Sequence, residues 1–156
     1  MDKTIDIKSV LEEGLKNKAS AELALNELSN HLDKLTGSKY NEAIHAVGFI
    51  GAVYKDFALQ VLDILKGRKG ESVTKSIGLM AAVGASICLD RGNKEGSEGD
   101  NKGKEIFNKA LNMLRSCEGN KEAQIVRNFE TQFPRLIEQG EGRGNDAAPG
   151  VEPGSP

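Results

Sequence analysis

The chain has no tryptophan, two tyrosines and five phenylalanines among its 156 residues. With so few aromatic side chains, any core must be aliphatic, built from Leu, Ile, Val and Ala. Cysteine is equally sparse. Cys88 and Cys117 stand far apart with no C-x-x-C between them, which argues against a disulfide-stapled scaffold and a thiol zinc knuckle. No charge sign dominates: 21 Lys and Arg against 23 Asp and Glu give a net charge of -2. A domain devoted to phosphate backbones is usually distinctly basic, so any nucleic-acid contact here must rest on a local patch.

The opening residues Met1 to Asp6 carry no apolar secretory segment, and no N-x-[ST] glycosylation site occurs, so a cytoplasmic (intracellular) location is expected. The longest emphatically apolar run, Ile77 to Leu89, is thirteen residues. A spanning helix needs about 20, so no membrane span is expected.

What is present is helical periodicity. Ile7, Val10, Leu11 and Leu15 recur at helical spacing in a first segment, about residues 5–16, where Ser9 and Glu12 have capping-box spacing. Ala21, Leu25, Leu28, Leu32 and Leu35 form a short heptad seam in a second, about 19–35. Gly37 reads as its stop and Ser38 as the next cap. A third segment, about 39–66, carries a wide apolar arc that includes Val47, Ile50, Val53, Phe57 and Val61. The fourth, about 71–90, has no charged residue from Ile77 to Leu89 and reads as a central helix apolar on every side, enclosed by neighbours. Residues 91–102 read as an exposed polar loop. Segments five (about 103–117) and six (about 121–139) follow, the last with Asn120 as cap and a break expected at Pro134.

The expectation is an all-α fold: a compact bundle of five or six helices over residues 1–139, with a central apolar helix. A disordered Gly/Pro-rich tail is expected over 140–156. Gly48, Gly51 and Ala52 on the third helix, and Gly78 and Gly84 on the fourth, offer thin surfaces. Helix-interior glycine costs about 0.5–1 kcal/mol relative to alanine, so these positions suggest close helix packing or an oligomer interface.

Chemistry is harder to find. Glu42 and His45 form an E-x-x-H pair, but a di-iron bundle needs two such motifs and two further glutamates. Cys88, Cys117, His31 and His45 each stand alone, whereas zinc ligands come in close pairs. Gly103-Lys104 resembles the end of a phosphate loop, yet Glu98 and Glu105 occupy positions that need Gly and Ser or Thr. A calcium loop starting at Asp90 fails at Gly92 and Lys94. No metal, cofactor or catalytic set is expected. The one basic patch, Lys66, Arg68, Lys69 and Lys75, surrounds an inter-helix turn and could touch an RNA or DNA backbone, though no aromatic side chain adjoins it for stacking.

The function expected first is a non-enzymatic helical interaction or assembly module, with a protein partner or self-association. A small helical subunit of a nucleoprotein complex, of CRISPR-effector or viral type, is the alternative. A metal-dependent bundle enzyme using Glu42 and His45 is a remote third.

Overall fold

The computed structural model describes residues 5–90, 92, 94–117 and 119–137, and within them the fold is all-α with seven α-helices. The tail expected over 140–156 lies outside these residues. The helices are α1 (Ile7–Gly14), α2 (Lys18–His31), α3 (Gly37–Val53), α4 (Ala58–Leu65), α5 (Glu71–Leu89), α6 (Glu98–Arg115) and α7 (Asn120–Gln132). Three short 3-10 turns, Leu32–Lys34, Lys55–Phe57 and Pro134–Leu136, join or extend them.

Local chemistry sets the helix starts. Asp6, rather than Ser9, caps α1 by accepting from Ser9 N, and Asn17 caps α2 by accepting from Ser20 N. The heptad seam of α2 packs inward: Ala21, Leu25, Leu28 and Leu32 are buried. Gly37 does not end a helix. It opens α3 at positive φ, with Thr36 as the capping residue.

The third segment is not one helix. The backbone leaves helical geometry at Tyr54, whose hydroxyl donates to Leu15 O at 3.0 Å, and resumes in α4. This break makes seven helices where five or six were expected, and turns α4 back so that Val61 meets Gly51. Gly67 and Gly70 then take positive φ, a conformation side chains resist, to reverse the chain into α5. The polar stretch before α6 is shorter than expected. Ser97 Oγ accepts from Asp100 N, so α6 starts at Glu98. At the other end, α7 stops at Gln132, just before Pro134, as the missing N–H requires.

Helix α5 is the hub. Helix α3 runs beside it in the same direction: Ser72 Oγ donates to Asn41 Oδ1 (2.8 Å), Ser76 Oγ to Ile44 O (3.3 Å), and, at the far end, Lys55 Nζ to Ser86 Oγ (3.3 Å). Helix α6 runs antiparallel along another side of α5, with Gly84 against Gly103 and Cys88 Sγ donating to Asp100 O. Phe107 fills the space between α6 and α7, meeting Phe129 and Phe133 edge-on at 5.8 and 6.0 Å.

The apolar helix is not enclosed on all sides. Leu79, Ala82, Ser86 and Leu89 are exposed, in one stripe at helical spacing. Ser86 is the one polar residue in that stripe and no charge marks it, so full enclosure was the natural expectation. By length and composition Glu71–Leu89 would cross a bilayer, but 61% of its most apolar stretch is buried inside the chain, so it is not a clear span.

Candidate functional site

Two surfaces stand out, on opposite sides of α5. Ile77 and Leu79 mark them: two residues apart, they point roughly 200° apart around the helix. Ile77 lines a groove and Leu79 lies on an exposed apolar stripe.

The stripe joins α3 and α5. Phe49 and Val53 on α3 are 47% and 48% exposed, and Leu79 and Leu89 on α5 are 39% and 58% exposed. The register set by Ser76 with Ile44 and by Lys55 with Ser86 places both sets on one side of the parallel pair. Partly or fully open Ala52, Gly78 and Ala82 lie among the large side chains. Val53 was expected on the buried arc. The break at Tyr54 leaves it outside.

The thin surfaces divide between inside and outside. A Cβ at Gly48 would meet Ser76 Oγ at 2.8 Å, one at Gly51 would meet Val61 Cγ2 at 2.8 Å, and one at Gly84 would meet Gly103 O at 2.6 Å. Those three glycines serve internal packing of α3 on α5, α3 on α4 and α5, and α5 on α6. Ala52 and Gly78 remain near the surface, where a Cβ on Gly78 would meet nothing closer than Ile125 at 3.9 Å.

The groove, about 1290 Å³, lies between the α4–α5 turn, one face of α6, the start of α7 and the last described residues. The buried core residues Leu65, Val73, Ile77 and Leu136 lie beneath it, each at most 3% exposed. Lys66, Arg68 and Lys69 line it together with Lys104, Lys109 and Arg135, against the carboxylates of Glu105 and Glu122. Lys75 is not part of it. It sits on the exposed side of α5, 3.8 Å from Glu71. Arg68 is turned back, donating to Ile64 O and to Asp33 Oδ1. Lys109 pairs with Asp63 at 2.6 Å, while Lys66 and Lys69 have no ion pair among the described residues.

The partners Lys104, Lys109 and Arg135 were missed in sequence because they lie far along the chain from the turn. For Lys104 and Lys109 the available signal was the polar face of α6 opposite Ile106, Phe107, Ala110, Leu111 and Leu114, all buried, whereas Arg135 comes from the Pro134–Leu136 turn after α7.

Electrostatics around the groove is structural in character. Thr74 Oγ1 donates to Glu122 Oε2 at 2.6 Å, holding the Glu122 carboxyl below its ordinary range. A carboxylate so stabilised is a weak base, so the pair ties α7 to α5 rather than activating a hydroxyl. Asp100 is fully buried at the groove's end. Gly96 N–H donates to it, and Lys104 and Arg135 lie nearby, so its carboxyl is also held low. Burial pushes the Cys88 thiol up to about 11, so it is an inert core group. Cys117 is exposed at the groove's edge.

Glu42 and His45 are both exposed, and no group of three or more His, Cys, Asp or Glu gathers among the described residues. His31 Nδ1 bonds to Glu27 O rather than to the Glu27 carboxylate. No protein-family model, curated protein or solved structure matches the chain.

Proposed function

We propose that the protein is a non-enzymatic helical assembly module that self-associates through the α3/α5 stripe. The observation that carries this is the coincidence of Phe49, Val53, Leu79 and Leu89, four exposed large apolar side chains on one side of a parallel helix pair. Fully burying such a side chain is worth roughly 1.5–3 kcal/mol, and contiguous apolar patches on soluble domains commonly mark interfaces. The stripe mixes large residues with Ala52, Gly78 and Ala82, so it presents both ridges and gaps. That suits a second copy of itself in a two-fold arrangement, where the same patch serves both subunits. Size-exclusion chromatography with light scattering tests it: a concentration-dependent dimer supports self-assembly, and a strict monomer at high concentration removes it.

Nucleic-acid binding through the basic turn has thinner support. Lys75 points elsewhere, Arg68 is engaged with Asp33, and no aromatic side chain lines the groove.

A further inference from the structure

Helix α7 is the least embedded of the seven. It buries one residue, Val126, where α5 buries eleven and α6 eight. Its cap position is Gly119, which has no side chain to bond the first turn. An uncapped helix of thirteen residues is marginal by itself, so α7 stays helical only while it is docked.

What docks it is largely polar. Lys121 meets Glu71 at 3.2 Å, with the two side chains 74% and 61% exposed, and Arg115 meets Glu130 at 2.8 Å. Exposed pairs of this kind hold weakly. Thr74 donates to Glu122, and Asn108 Nδ2 donates to Leu136 O at 2.8 Å in the turn that follows α7. The last tie is incomplete. Asp100 Oδ1 is buried and has no hydrogen-bond partner among the described residues, while Arg135 Nη1 stands 3.7 Å from it and 3.8 Å from exposed Glu95. A buried carboxylate oxygen without a donor costs stability. Water reaching it would relieve that cost, and Lys104, on α6 itself, would remain beside Oδ2. Beneath these ties Phe107 is fully buried, covered by Phe129 and Phe133.

We propose that α7 and the Pro134–Leu136 turn form a detachable cover, which opens as one unit from a body of α1 to α6 that stays folded and so uncovers Phe107. The body does not depend on the cover: the α3–α5 register and the Gly84–Gly103 crossing use no residue of α7. The proposal does not rest on self-association through the α3/α5 stripe.

Hydrogen–deuterium exchange on the full chain at pH 7, read by mass spectrometry of overlapping peptides, tests it. Amides over 123–133 should share one level of protection, at least about a hundred-fold below that of α5. Val126→Ala should speed exchange over 123–133 about ten-fold, and Arg135→Gln, at a surface position, about three-fold, with α5 unchanged in both. Protection over 123–133 equal to that of α5, or a gradient that slows from both ends toward Val126, would overturn the proposal. So would unchanged exchange in either variant, or acceleration of all helices alike.

Discussion

Gly84 and Gly103 face each other where α5 and α6 cross, and each occupies the space the other's side chain would need. A Cβ on Gly84 would sit 2.6 Å from Gly103 O, and one on Gly103 would sit 2.8 Å from Gly84 O. Backbone, which cannot turn aside as a side chain does, stands in the way in both cases, joined at Gly103 by Cys88 Sγ at 2.7 Å. Alanine at either site gains up to about 1 kcal/mol of helix propensity. It must also force two helices apart, and overpacking of this kind typically costs about 1–3 kcal/mol. Gly84→Ala and Gly103→Ala are each expected to lower stability by about 1–2 kcal/mol net. Gly78→Ala, with open space around it, should raise stability by about 0.5–1 kcal/mol. Urea denaturation of the three variants checks the contrast in sign.

The two thiols should differ sharply in reactivity. Cys117 is exposed, whereas Cys88 is buried and its pKa is raised to about 11 by loss of hydration and by the neighbouring Asp100. Native protein treated with iodoacetamide at pH 8 should gain one adduct, at Cys117, and a second only after denaturation. Mass spectrometry of the intact chain counts them, and rapid native labelling of Cys88 would contradict its placement.

Acid should weaken the fold through its buried and bridged carboxylates. Asp100, Glu122, Glu71 and Asp56 are all held below their ordinary values, by Gly96 N–H, Thr74, Lys121 and Lys18 respectively. For a group depressed in the folded state, the stabilisation is complete above the unfolded value, near pH 4, and is lost as pH falls through the folded one. Stability should therefore be level above about pH 5 and fall below about pH 4. Asp100→Asn keeps an oxygen for Gly96 N–H but loses its charge toward Lys104 and Arg135. It should be less stable than wild type at neutral pH and show a flatter decline in acid, read by thermal melts across a pH series.

The helices were legible because burial follows period. The seam through Ala21, Leu25, Leu28 and Leu32, and the face of α6 through Ile106, Phe107, Ala110, Leu111 and Leu114, are all inside. Pro134 announced its own break. The interruption at Tyr54 was not legible, because it is held by a hydroxyl reaching Leu15, thirty-nine residues away, with no glycine or proline at the bend. The start of α6 did carry a signal in Ser97 and Asp100, masked by the surrounding glycines. Leu79 and Leu89 differ in no local way from buried Ile77 and Met80. Which side of an apolar helix stays open depends on how many neighbours reach it. The basic turn was visible as a cluster, but its true companions come from far along the chain: Lys104 and Lys109 by the antiparallel packing of α6 on α5, and Arg135 by the Pro134–Leu136 turn, which Asn108 Nδ2 holds against α6 through Leu136 O.

Self-association through the α3/α5 stripe is tested most directly by sedimentation equilibrium on the full chain, from about 5 to 500 µM. The stripe should drive a monomer–dimer equilibrium within that range, and the double variant Phe49→Ser/Leu79→Ser, altered only at exposed positions, should sediment as a monomer with an unchanged melting temperature. A wild-type chain that stays monomeric throughout, or a variant that dimerises as well as wild type, would contradict the proposed interface.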